Sequence, residues 1–265
     1  RYSVINGFSG RVTKEGLERL EKSDLVEKIR PIKPIKPLLD GSVQLINAND
    51  VWNISVGGVS INGTGETICV EDSGVDYTHP ALGGSTNDTF LNSTCSKVIG
   101  GYDYGNDDAD PMDVNSHGTH VAGIIASTNN TYRVVAPGAK IVALKVFANN
   151  GTGDTDYAIA GIDWCISNRS LYNISVITLS LGVVNPISLK EIIYNSSCDS
   201  SDSSGLAAKA SLAASYGIFV DASAGNDGNI TGIAAPACGE NVTSVGSVTK
   251  LDAILSFLKI EPEEI

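Results

Sequence analysis

Thr67-Ile68-Cys69-Val70-Glu71-Asp72-Ser73-Gly74 is a β-prone run that stops at a carboxylate and breaks at a glycine. Such residues fit a pleated surface and Gly74 ends it, so the run reads as a strand over 67–72, the candidate central strand. Working outward, strands are expected over 140–147, 174–181, 217–223 and 242–248. Helical patterns fall near 118–128, 155–168 and 204–216. Strands that alternate with helices argue for an α/β fold, a parallel sheet with helices on both faces. Its functional loops should stand at the carboxyl ends of the strands.

Two of those ends and one helix start carry chemistry. Asp72 closes the first strand, where a carboxylate beside a glycine turn can orient an imidazole and stabilise its protonated form. In Asn115-Ser116-His117-Gly118-Thr119-His120-Val121-Ala122-Gly123 a histidine stands among small residues where a helical pattern begins. A neutral imidazole there can take a proton from a hydroxyl, and its small neighbours let a substrate backbone approach. Phe219-Val220-Asp221-Ala222-Ser223-Ala224-Gly225-Asn226 is another strand, opening into a small-residue turn that ends in an amide. Asn226 can donate from its NH2 to a developing oxyanion.

Asp, then His, then an Asn after a later strand resembles the subtilisin-like serine proteases, over roughly Arg1 to Phe257. The resemblance implies a three-layer fold around a parallel sheet and a Ser-His-Asp endopeptidase. Asp72 would orient His117, His117 would act as general base, and Asn226 would be the oxyanion donor. Ser180, Leu181 and Gly182, after the apolar strand Val176-Ile177-Thr178-Leu179, resemble the family segment that pairs with an extended peptide. An added peptide strand gains main-chain hydrogen bonds whatever its sequence. Ala222, Ser223, Ala224 and Gly225 would line the first specificity pocket. His120, one helical turn from His117, is expected to pack or to support it.

The family's nucleophile sits in a Gly-Thr-Ser-Met-Ala motif, and no Gly-Thr-Ser occurs in these 265 residues. The chain is therefore expected to be an incomplete enzyme, inactive as it stands, and the alternative is a non-catalytic chain that binds peptides or a partner. Leu258 to Ile265 departs from the family pattern and reads as a tail. Glu71 stands where an aliphatic residue is usual, so two neighbouring carboxylates could raise one pKa. Ala81 follows His79-Pro80 where calcium-binding members have Asp. Calcium could instead meet the acidic loop Asp103, Asp107, Asp108, Asp110 and Asp113, which otherwise reads as a solvated loop.

Other site chemistries fit less well. His117 and His120 lack the intervening Glu of zinc hydrolases, and the only further histidine is His79, so no metal ligands are assigned. Gly63-Thr64-Gly65 has no third glycine at nucleotide-binding spacing. The expected chemistry requires no cofactor.

Composition bounds the partners. A net charge of −12, from 18 basic and 30 acidic residues, argues against nucleic acid. No apolar run approaches the ~20 residues of a membrane span. Eleven Asn-X-Ser/Thr sequons occur, where roughly three or four would arise by chance, so a secreted glycoprotein is expected. Five cysteines permit two disulfides and one free thiol. Cys198 and Cys238, in loop-like stretches, are expected to pair, and Cys69 to be the buried free one.

The first 37 residues differ from the rest. Tyr2 to Ile5 reads as a strand, Asn6 to Gly10 as a turn, and Thr13 to Lys22 as an amphipathic helix capped by Thr13. This segment resembles the carboxyl half of the family's propeptide, a small α/β inhibitor, which makes the chain's own propeptide a partner alongside a peptide or protein substrate. Pro31, Pro34 and Pro37 then space a stiff linker. Cleavage is expected between about Pro37 and Asn47, with an incomplete peptidase domain over 45–257. The start at Arg1, without methionine or signal peptide, reads as a fragment.

Overall fold

The computed structural model describes residues 12–26, 28–29, 39–129, 131–132 and 134–247. The expected strand over 2–5, the turn over 6–10, the Pro-rich stretch 30–37 and the tail 258–265 lie outside the described residues. The chain divides into two compact units, Arg1–Leu38 and Leu39–Ile265. In the first, α1 (Lys14–Glu21) begins where Thr13 accepts the Gly16 N–H through its hydroxyl at 3.1 Å. That side-chain bond replaces one of the four backbone partners a helix start lacks.

The second unit opens with α2 (Leu39–Leu45), α3 (Ala48–Val51) and the hairpin β1 (Ser55–Val56) and β2 (Val59–Ser60). There follow β3 (Thr67–Asp72), α4 (Asn87–Leu91), β4 (Val98–Asp103), α5 (His117–Ala126) and β5 (Lys140–Lys145). Next come α6 (Thr155–Tyr172), β6 (Ile174–Leu179), β7 (Ile193–Tyr194) and α7 (Leu206–Ser215). β8 (Phe219–Ser223), β9 (Ile233–Ala234) and β10 (Thr243–Val245) close the described fold. Six strands form one sheet in the order β10-β8-β6-β3-β5-β4, and every pairing in it is parallel. All six therefore end at one edge, and β3 lies at the centre with each of its residues buried.

Alternation along β3 sorts its side chains between two cores. Cys69 joins Val142, Leu144, Ile177, Leu179 and Val220 in the core shared with α6 and α7. Ile68 and Val70 join Ile141, Ala143 and residues of α5 in the other. Helices on both faces of a parallel sheet are what the alternation of elements leads one to expect. Over β8 and β10 the α5-side face is thinly covered, since Phe219 is 55% and Val245 52% exposed.

Three sequence expectations are corrected here. Cys69 is not free. It is bonded to Cys165 of α6 at a Cα–Cα distance of 6.5 Å, whereas Cys198 does pair with Cys238 and the buried free thiol is Cys95. Cys69 points at α6 because it lies two residues from Glu71 on the same face, an orientation that only the packed helix reveals. β4 was not expected, since Gly100 and Gly101 interrupt its apolar pattern. At both positions a side chain is excluded by neighbours: a Cβ at Gly101 would lie 2.0 Å from the Ala143 carbonyl oxygen, and one at Gly100 would lie 2.8 Å from the Tyr172 ring. The glycines are thus required by close packing rather than by a turn.

The third correction concerns Glu71 and Asp72. Adjacent strand residues face opposite sides of the sheet, so these carboxylates do not confront each other. Glu71 lies beneath α6, where a Cβ at Gly161 would come within 2.9 Å of its carboxyl carbon. It is fully buried and neither oxygen has a hydrogen-bond partner. Burial pushes its pKa well above the ordinary carboxylate range. The native state therefore holds a proton that the unfolded chain releases, and stability falls as pH rises from the unfolded value near 4.3 towards the native one. Within that window the slope should reach about 1.4 kcal/mol per pH unit. Urea titrations across pH check this: Glu71→Gln should lack the slope and gain on the wild type as pH rises. Parallel pH profiles for the two proteins would contradict it.

No helix among the described residues is long and apolar enough to cross a membrane.

Candidate active site

Asp72 ends β3 on the α5 side, and His117 is the first residue of α5. The geometry brings these two together: Asp72 Oδ1 lies 2.7 Å from His117 Nδ1. The carboxylate is 1% exposed and the imidazole 56%, so one partner is withdrawn from water and the other is offered to it. Burial pushes the Asp72 pKa up, while hydrogen bonds from His117 and from the Ser73 N–H, at 2.7 Å, pull against that rise. The net shift is upward. The second oxygen, Oδ2, is buried and has no partner, which leaves the acceptor capacity of the carboxylate directed at His117 and Ser73.

Two glycines permit this approach. A Cβ at Gly118 would sit 2.2 Å from the Gly74 carbonyl oxygen and 2.9 Å from Asp72 Cβ. Gly74 itself has φ +106°, and a Cβ there would meet the Pro111 carbonyl oxygen at 2.5 Å. Only residues without a side chain let the first turn of α5 lie this close to the end of β3.

Asp113 anchors the same turn, although its sequence context suggested a solvated acidic loop or a calcium site. Its Oδ1 accepts N–H bonds from Asn115 and Ser116 at 2.8 and 2.9 Å, and its Oδ2 accepts the N–H and hydroxyl of Thr119 at 2.9 and 2.6 Å. Burial raises its pKa, but these donors outweigh that effect and the net shift is downward. Ser73 donates its hydroxyl to Asp113 Oδ1 and accepts the Gly118 N–H, which closes a network under His117. The available sequence signal was an Asp four residues before the helix start, a position suited to satisfying orphan N–H groups.

The remaining acidic-loop residues have separate partners. Asp103 pairs with Lys145 at 2.7 Å, Tyr102 donates to Asp107, the Asp110 N–H donates to Asp108, and Asp110 accepts from Tyr77 and Asn87. No group of three or more metal-ligating side chains converges among the described residues. His79 accepts the Ala81 N–H, and His120 is exposed, which corrects the packing alternative for that residue.

The other predicted residues lie at the same sheet edge, farther along. Ser180, Leu181 and Gly182 follow β6, next to β3 in the sheet, and Asn226 follows β8, one strand further. Ser223 donates to the Leu181 carbonyl at 3.3 Å and joins the two segments. Ala222 is fully buried in the core beneath α7, so strand alternation leaves it no accessible surface, whereas Ser223, Ala224 and Gly225 keep some. Asn226 is exposed and its backbone is held by Glu191, whose two carboxylate oxygens both lie 2.8 Å from the Asn226 N–H. Sequence reading missed Glu191 because it stands in a loop with no motif.

A buried carboxylate that orients a half-exposed imidazole is an acid–base device. Nδ1 is committed to Asp72 and Nε2 is left for a reacting group. Residues 63–264 match the subtilase family. The thermophilic serine proteinase of Bacillus sp. (strain AK1) is 36% identical over 209 residues, covering 78% of this chain and 43% of its own length. Subtilisin NAT of Bacillus subtilis subsp. natto is 33% identical over 208 residues, covering 76% and 45%. The chain thus spans less than half the length of these two relatives. The crystal structure of a cold adapted subtilisin-like serine proteinase superposes with a TM-score of 0.55 at 28% identity, over 75% of this chain and 62% of the other. A family match across most of the sequence, with the parallel sheet shared by a solved relative, makes this chain a member of the subtilase family.

Proposed function

We propose that the site works in peptide-bond hydrolysis of the serine-endopeptidase type. One observation carries this reading: the 2.7 Å contact between buried Asp72 and exposed His117. Asp72 orients the ring and stabilises its protonated form, and His117 takes a proton from the nucleophile and returns it to the leaving amine. Asn226 donates to the oxyanion. An extended peptide lies along Ser180 to Gly182, with its first side chain directed towards Ser223, Ala224 and Gly225. The proton transfers call on no cofactor, and calcium would act on stability alone. The segment containing α1 serves as an inhibitory propeptide. Two disulfides, together with sequons that are exposed at all positions but Asn62 and Asn168, support a secreted glycoprotein.

A second reading, peptide binding without hydrolysis, rests on the partly exposed segments Ser180 to Gly182 and Ser223 to Gly225, which lie at one edge of the parallel sheet. The same titration serves both. Addition of an unlabelled tetrapeptide to the 15N-labelled chain should shift the resonances of His117, Ser180 to Gly182 and Gly225, with no peptide cleaved and no serine modified by a fluorophosphonate. Shifts confined to other regions would contradict the proposed cleft. Hydrolysis blocked by the fluorophosphonate would show that a nucleophile resides elsewhere in the chain.

A further inference from the structure

Glu191 lies between the two segments assigned to the substrate. Its Oε2 is 2.4 Å from where a Cβ would stand on Gly225, and its Oε1 is 3.8 Å from the equivalent point on Gly182. A short antiparallel loop carries it there: Val184 bridges to Glu191, and the Ile192 N–H donates to the Val183 carbonyl at 2.9 Å. The carboxylate then accepts the Asn226 and Asp227 N–H groups, and Asp227 Oδ2 accepts the Glu191 N–H at 3.0 Å. Two carboxylates are thus fixed beside the glycines through which a peptide side chain would enter.

No cationic side chain among the described residues pairs with either carboxylate. The ion pairs among the described residues join His117 to Asp72, Lys145 to Asp103 and Lys209 to Asp163, and none includes Glu191 or Asp227. The backbone N–H groups occupy part of the carboxylate's acceptor capacity: Oε2 accepts from both Asn226 and Asp227, while Oε1 accepts from Asn226 alone and keeps a lone pair for a further donor. Gly182 and Gly225 contribute no side chain that would screen it.

We propose that Glu191 is a specificity-determining residue of this cleft and selects peptides with a basic side chain, arginine or lysine, in the first pocket. The inference rests on the cleft assignment above and adds the substrate class. A guanidinium or ammonium group placed there gains a charge-assisted hydrogen bond in a site partly shielded from water. A neutral side chain of the same shape leaves the carboxylate without that partner.

The test compares acetyl-Ala-Ala-Ala-Arg amide with its citrulline counterpart, a neutral isostere, by calorimetric titration of the whole chain. Arginine should bind about ten-fold more tightly, the effect expected of one hydrogen bond to a charged group. Glu191→Gln, which keeps an acceptor for the Asn226 N–H, should bring the ratio close to one. Asp227→Asn leaves that bond untouched and should lower the ratio by less. A wild-type ratio near one, or a ratio unchanged in both variants, overturns the proposal while leaving the cleft in place. Failure of both peptides to bind overturns the proposal and the cleft assignment together. Should Glu191→Gln fail to fold, the wild-type ratio and Asp227→Asn still decide.

Discussion

Replacing Cys69 and Cys165 together by alanine should lower stability by about 4–5 kcal/mol, the chain-entropy cost expected for releasing a loop of this size. The two cysteines are 96 residues apart in sequence and both are fully buried. Their bond ties the central strand β3 to α6, across the core that also contains Ile162, Ile177 and Leu179. The unfolded chain gains more freedom from opening this loop than from opening the 40-residue separation of Cys198 and Cys238, for which about 4 kcal/mol is expected. Against a typical domain stability of about 5–15 kcal/mol, losing the first bond alone removes a large part of the total. Urea unfolding of the double variant measures it. A loss below that of the Cys198–Cys238 variant would show that loop length does not govern the effect.

The second large effect concerns Asp103 and Lys145, which end the neighbouring strands β4 and β5. Their side chains are 2% and 3% exposed and their charged atoms are 2.7 Å apart. Asp103 also accepts the backbone and side-chain N–H groups of Asn106 at 2.9 and 2.8 Å, and Lys145 donates to Asn149. Asp103→Ala leaves a buried ammonium with one acceptor fewer, a change that typically costs about 3–5 kcal/mol. Removing both charges is a different experiment, because the desolvation penalty of the pair disappears with its attraction. Asp103→Leu combined with Lys145→Met should therefore recover most of the loss. Denaturant midpoints for the three proteins check the pattern, and equal destabilisation of single and double variants would contradict it.

Much of the architecture was legible because it depends on local periodicity. The apolar runs of β3, β5, β6 and β8 and the helical spacing of α5, α6 and α7 announce themselves over five to eighteen residues, and their alternation leads to a parallel sheet. The positions of Asp72 and His117 were legible for the same reason, since one ends a strand and the other starts a helix. What escaped depends on how distant elements meet. Cys69 and Cys165 become partners only when α6 lies over β3. The glycines of β4 look like breaks until the Tyr172 ring and the Ala143 carbonyl are in place. Glu71 and Asp72 look like a carboxylate pair until strand alternation sends them to opposite cores. Glu191 and Asp113 act through backbone N–H groups, contacts that leave little signature in side-chain patterns.

Asp72 should fix His117 with Nδ1 protonated and Nε2 open to a reacting group. Free neutral histidine prefers to carry its proton on Nε2, so the tautomer itself reports the constraint. A long-range 1H–15N spectrum of the His117 ring at a pH where the ring is neutral measures it directly. Protonation at Nδ1 is expected in the wild type, with a return of the proton towards Nε2 in Asp72→Ala. A wild-type ring protonated at Nε2, or one unchanged by Asp72→Ala, would contradict it.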